Sequence, residues 1–179
     1  MRRFAFVWLW AALMAGLCGT PAFAQGSAVP EYALKSALLF KLPQFVYHPD
    51  MDRSAPITMC LLGSNPFGNT LEKLAETPLD GRKFRYVRFD SVAEVSGCHF
   101  LFISRSETRS LETIFQKIGN RPIVTVSDIE GFTRSGGMIE LALGGEGTPI
   151  TILINRQAAQ KRQIEFNAQL LRLARVVEP

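Results

Sequence analysis

Histidine is scarce in this chain, the charge balance has no strong sign, and no long apolar run follows the first two dozen residues. Each shortage excludes something. The two histidines, His48 and His99, have no further ligand at metal spacing, so no metal or cofactor is expected. His99 directly follows Cys98, and neighbours along a strand point to opposite faces, which argues against a Cys–His nucleophile pair. Twenty Lys and Arg stand against sixteen Asp and Glu, a net charge of +4 that falls to +2 once Arg2 and Arg3 are set aside. A near-neutral mixed surface offers no footprint for nucleic acid. Past the N-terminal segment nothing is apolar for the ~20 residues that a membrane span needs.

The N-terminal segment has the three parts of a secretory signal. Arg2 and Arg3 give a positive start, Phe4 to Leu17 an uncharged apolar run, and Thr20-Pro21 a helix break before Ala22-Phe23-Ala24. Residues 1–24 are therefore expected to be a cleaved signal peptide, with the cut before Gln25. Residues 25–179 then form one exported domain, outside the cytoplasm. The alternatives are a membrane anchor, for which the run is short, and a lipoprotein attached at Cys18, for which Leu17 is too bulky.

Loss of Cys18 leaves Cys60 and Cys98, an even pair in an oxidising compartment, where cysteines usually pair. Both lie in short apolar runs that read as neighbouring strands. The alternative is two buried, inert thiols.

Along the chain, Ala33, Leu34, Ala37, Leu38, Leu42, Phe45 and Val46 recur at helical spacing, with Pro43 expected to kink or shorten the helix. Ile57–Leu62, Phe84–Phe89, Cys98–Ile103 and Pro122–Ser127 read as strands, and Asn69–Glu76 as a short helix. Ser104 with Glu107 three residues on suggests a capping box for a helix reaching Ile118, stopped by Gly119. Met138–Leu143 and Pro149–Ile154 flank Gly144-Gly145-Glu146-Gly147 as a hairpin, and Asn155 caps a final helical region broken near Ile164. This order predicts an α/β fold: a mixed, mostly parallel sheet of about six strands, helices on both faces, and a C-terminal hairpin plus helix.

Three constellations are candidates for function. The loop Gly63-Ser64-Asn65-Pro66-Phe67-Gly68-Asn69-Thr70 has phosphate-loop glycine spacing, but Asn69 stands where the lysine belongs and Pro66 deletes a backbone donor. An ordinary strand-to-helix turn is favoured over a nucleotide site, and Gly63 and Gly68 are kept as candidates for a small anionic ligand. Ser127-Asp128 at a strand end is a ligand-binding candidate, weighed against a turn-stabilising aspartate; no histidine follows it to complete a triad. Phe67, Phe132 and Met138, in or beside loops, are candidate anchors for a protein partner, weighed against simple core packing. No base, nucleophile and oxyanion site come together, so no catalytic residue is assigned and a non-enzymatic role is expected.

Six blocks in order carry a family resemblance over about Glu31 to Val177. They are Glu31-Tyr32-Ala33-Leu34-Lys35-Ser36-Ala37, Leu62-Gly63-Ser64-Asn65-Pro66-Phe67-Gly68, and Cys98-His99-Phe100-Leu101-Phe102-Ile103-Ser104-Arg105-Ser106-Glu107. Thr125-Val126-Ser127-Asp128-Ile129-Glu130-Gly131-Phe132 follows, with Gly136-Gly137-Met138-Ile139 behind it. The last are Ile154-Asn155-Arg156-Gln157-Ala158-Ala159 and Gln169-Leu170-Leu171-Arg172-Leu173-Ala174. Together they resemble the YfiR family of exported proteins. The resemblance implies a periplasmic regulator that binds the periplasmic sensor domain of an inner-membrane diguanylate cyclase and holds it inactive. Cyclic di-GMP and biofilm formation would then fall. It also implies a disulfide-stabilised, often dimeric domain, in agreement with the Cys60–Cys98 pairing. Pro43 departs from the family's first helix, and a second disulfide of some relatives has no cysteines here.

Overall fold

The fold was established from a computed structural model, in which residues 30–52, 54–145 and 150–178 are described. The expected export segment and Cys18 lie outside these residues, as does part of the hairpin tip. Among the described residues, no helix is long and apolar enough to cross a membrane.

Helix α1 spans Glu31–Lys41 and passes directly into a 3-10 turn over Leu42–Phe45, with Pro43 at its start. Proline tolerates the first turn of a helix because the missing N–H has no intrahelical partner there. Strands β1 (Val46–Tyr47) and β2 (Ile57–Leu62) follow, then α2 (Thr70–Ala75) and β3 (Phe84–Phe89). Strand β4 (Phe100–Ile103) leads through a 3-10 stretch to α3 (Leu111–Ile118), then β5 (Val124–Ser127), β6 (Ile139–Leu143) and β7 (Ile150–Ile154). The chain finishes with α4 (Arg156–Gln160), β8 (Glu165–Phe166), α5 (Ala168–Leu173) and β9 (Arg175–Val176).

The main sheet has seven strands in the order β3-β2-β4-β5-β6-β7-β9, and only the β6–β7 hairpin is antiparallel. The seventh strand is the two-residue β9, too short to leave an alternating pattern in the sequence. A separate antiparallel ribbon joins β1 to β8, with Val46 opposite Phe166. Both short pieces fall in stretches where the helical spacing of neighbouring apolar residues predicts helix instead.

Burial on both faces explains the continuous apolar strands. Ile57, Met59 and Leu61 of β2 join Phe100 and Phe102 of β4 in one core beneath α1, α2, α4 and α5. Cys60, Leu62, Leu101 and Ile103 face the other way, onto Leu111, Ile114 and Ile118 of α3. Cys60 and Cys98 are bridged across this second layer, with Cα atoms 5.9 Å apart.

The capping box is not formed. Ser104 makes no side-chain cap, residues Arg105–Ser110 wind as a 3-10 turn, and α3 begins only at Leu111. Glu107 instead accepts from the Ser106 hydroxyl at 2.9 Å. Asn155 does cap its helix, accepting from Ala158 N at 2.9 Å, and Gly119 ends α3 at a positive φ of 59°.

Candidate functional site

Strands β4 and β5 lie side by side with Ile103 opposite Ser127, so Ser104-Arg105 and Asp128 emerge together at one end of the sheet. Open α/β sheets bind ligands at that end of their parallel strands. Helix α1 delivers Glu31, Tyr32 and Lys35 to the same place, the first and last being one turn apart. Asp128 is the hub. Its Oδ2 accepts from Tyr32 Oη at 2.8 Å and from Lys35 Nζ at 2.8 Å, with Arg105 Nε 3.2 Å away. Lys35 is also paired with Glu31, and its ammonium lies 4.7 Å from the Tyr32 ring centre.

Lys35 and the Asp128 side chain are almost wholly removed from solvent, while Arg105 remains half-exposed. Two charges withdrawn from water require this kind of compensation, because each alone loses several kcal/mol of hydration. Burial, followed by the hydrogen bond to Asp128, pushes the Tyr32 phenol up to about 12, so it remains a donor at neutral pH. Asp128 Oδ1 is buried with no hydrogen-bond partner among the described residues.

Beside this cluster lies a cleft of about 370 Å³. Arg105, Asp128 and Arg134 border it on the polar side, and Leu143 and Leu153 on the apolar side. Buried Glu140 shapes the cleft wall by accepting from Gly131 N, Thr133 N and Thr133 Oγ1 at 3.0–3.1 Å. Asn155 Nδ2 ties the same loop down through Thr133 O at 2.9 Å. Paired charges, a spare acceptor and an apolar wall suit the holding of a small polar molecule.

The sequence-predicted residues meet different fates. Ser127 is fully buried, donating to Ile103 O at 2.6 Å and accepting from Ile129 N at 3.0 Å, so its hydroxyl serves the turn. Asp128 lies on the cleft; Gly63, Gly68 and Ser127 do not. The Gly63–Gly68 loop is closed onto the 3-10 turn after β4: a Cβ at Gly63 would meet Ser106 Oγ at 2.4 Å. Ser64 N donates to that oxygen at 3.0 Å, and Asn65 satisfies Phe67 N and Gly68 O within the loop. Little of the loop is free to cradle an anion.

Phe67, Phe132 and Met138 are buried, which corrects their assignment as surface anchors. Phe67 packs edge-on against Phe102, ring centres 4.8 Å apart, and Phe132 lies against the backbone of Gly137. Loop aromatics here seal the two core layers. Among the described residues, the large apolar side chains that do face solvent are Tyr47, Leu143, Leu173 and Val176.

Sequence reasoning missed Tyr32, Lys35, Glu31 and Arg105 as a group. The one local signal was the Glu31–Lys35 spacing, which also fits an ordinary exposed helix pair. Among the described residues no three His, Cys, Asp or Glu side chains are placed to hold a metal ion.

Solved structures share the architecture, two of them as follows. A conserved domain protein from Vibrio cholerae O1 biovar El Tor superposes with a TM-score of 0.54 at 12% identity, covering 83% of this chain. The ABC domain in complex with L-Trp from Streptococcus pneumoniae gives 0.52 at 13% identity, covering 82% of this chain. The chain spans 60% of the length of each, and at these identities the likeness is one of fold alone. No curated protein matches the chain. The sequence profile of the YfiR/HmsC-like family, in contrast, matches residues 32–175, from the tyrosine on Asp128 to the final strand. The chain belongs to the YfiR/HmsC-like family.

Proposed function

We propose that this protein is a periplasmic regulator that binds the periplasmic sensor domain of an inner-membrane diguanylate cyclase and holds the enzyme inactive. The observation that carries the reading is the family match over nearly the whole described chain. Inhibition follows if the protein prefers the inactive conformation of the sensor, since a partner shifts an equilibrium only by its differential affinity for the two states. The mature protein is residues 25–179, with the Cys60–Cys98 bridge suited to an oxidising compartment. A homodimer is part of the same proposal.

Deleting the gene in its host and measuring cyclic di-GMP tests the reading. A rise, reversed by expressing the exported protein, is expected; an unchanged level overturns it.

One observation favours a second role alongside the first. The unpartnered, buried Oδ1 of Asp128 on the 370 Å³ cleft suits a small ligand that carries a hydrogen-bond donor. Such a ligand would tune the regulator. A screen of small polar metabolites by thermal shift checks this, since a ligand bound to the folded state raises Tm. Any hit must be lost in Arg105→Gln for the cleft to be its site.

A further inference from the structure

A second cavity, remote in character from the charged cleft, lies between the sheet and its helical cover. It measures about 220 Å³. Val126 of β5 with Ile139 and Leu141 of β6 forms its sheet side, while Leu38 of α1 and Leu170 of α5 belong to the opposite side. Lys41 contributes the one charged side chain of the lining. We propose that this cavity binds a single-chain anionic amphiphile, its alkyl tail among these side chains and its carboxylate at Lys41.

The lining argues for the tail. Protein interiors are packed to the density of organic crystals, with few voids larger than a water molecule. An apolar cavity of ~150 Å³ stays dry and accepts a hydrocarbon guest, since water finds no partners in it. This cavity is larger and presents almost no polar atom, so a water cluster is a poor occupant. It also reaches the surface. Leu173, which lines it, is 70% exposed, and Leu38 and Phe45 are partly exposed. Entry therefore needs no unfolding.

The rim argues for the charge. Lys41 stands exposed in the last turn of α1, with no acidic side chain within 4 Å among the described residues. Its ammonium rests 5.7 Å from the centre of the Phe40 ring. Lys41 borders the cavity with its alkyl stem, and its exposed ammonium can swing from the Phe40 ring, which lies outside the lining, to a carboxylate at the mouth. A quaternary ammonium there would meet a like charge.

Calorimetric titration of the folded protein with hexanoate, octanoate, decanoate, 1-octanol and octyltrimethylammonium tests the proposal. Octanoate is expected to bind at one saturable site. Each methylene between hexanoate and octanoate should tighten binding about four-fold, the usual worth of a buried CH₂. The gain should stop once the cavity is full. Lys41→Gln should weaken octanoate about two- to five-fold and leave octanol unchanged, as fits an exposed charge pair. Octyltrimethylammonium should bind more weakly than octanol.

Two filling variants on opposite sides, Ile139→Phe and Leu38→Phe, should abolish octanoate binding. Either suffices if its near-UV circular dichroism and Tm show a folded protein. Absence of saturable octanoate binding to the wild type would overturn the proposal. So would undiminished binding in a folded filling variant, or flotation with phosphatidylglycerol vesicles in place of one-to-one binding. None of these outcomes bears on inhibition of a cyclase, which rests on the family match.

Discussion

Lys35 Nζ lies 2.8 Å from Asp128 Oδ2, and this buried ion pair fastens the first helix to the end of the fifth strand across 93 residues of sequence. Tyr32, Glu31 and Arg105 complete its neutralisation. Removing Lys35 takes away the cluster's one fully buried cation and leaves the buried Asp128 carboxylate to the half-exposed Arg105 and the Tyr32 hydroxyl. Lys35→Met alone should therefore destabilise the fold by about 3–5 kcal/mol. The double variant Lys35→Met/Asp128→Leu should lose less than the sum of the singles. Urea unfolding of the four species closes the cycle, and strict additivity would refute the coupling.

The Cys60–Cys98 bridge spans a sequence separation of 38 residues. Constraint of the unfolded chain over such a loop is worth about 4 kcal/mol. Reduction should lower Tm by many degrees. Equal melting temperatures with and without reductant would show that the bridge contributes nothing.

Acid should loosen the end of the sheet near His48 and His99. The two rings lie 5.3 Å apart between centres. Both accept at Nδ1 from backbone N–H groups, His48 from Asp50 at 3.1 Å and His99 from Thr58 at 3.0 Å. Burial holds both imidazoles below their ordinary 6.5; the second cause is His99 for His48, and Arg82 for His99, with Asp50 opposing. The unfolded chain thus binds more protons in the window below about pH 6.5, and stability rises with pH there. The urea midpoint should fall as pH drops through that window toward the depressed folded values. The same slope in His48→Asn/His99→Asn would exclude the pair as its source.

Gly137 is required by contact. A Cβ there would come within 2.1 Å of the Phe132 ring, and Phe132 is itself fully buried. Gly137→Ala should cost about 1–3 kcal/mol by overpacking. Phe132→Leu in the same chain should recover part of that loss, as chemical denaturation would show.

Phe67→Ala should cost about 3–5 kcal/mol, as truncation of a core aromatic does. Its folded fraction should keep any partner affinity that the wild type has. Leu143→Gln, at a solvent-facing residue, should shift stability by about 0.5 kcal/mol or less. A Phe67→Ala protein that is fully folded yet fails to bind would return that residue to the surface role.

Much of the frame was legible because burial on both faces writes continuous apolar runs. Ile57–Leu62 is such a strand, Phe84–Phe89 is the mixed edge strand that its interleaved arginines suggest, and the hairpin and the Asn155 cap are where periodicity places them. Short-range signals misled where a tertiary neighbour outbid them. Ser104 and Glu107 have capping-box spacing, but Ser106 is engaged with Ser64 N and Glu107 turns to Ser106. The ionic cluster was unreadable for a different reason. Its hub and its α1 partners are more than 90 residues apart, and a lysine in a helix carries no mark of burial. The loop aromatics show the same limit: sequence places Phe67 in a loop, and only packing shows it turned inward.

The β1–β8 ribbon sets an order on assembly. Strands β2, β3, β4 and β5 pair with near neighbours in sequence, so the centre of the sheet requires only local chain. The ribbon joins Val46 to Phe166, and the edge strand at Arg175–Val176 comes later still. Contacts so distant in sequence form slowly, because the intervening loop must be closed before they contribute. The segment that follows the first helix is therefore clasped only when the final residues are present. Trimming the chain before Glu165 would leave the central strands their pairings and deprive the N-terminal segment of its clasp.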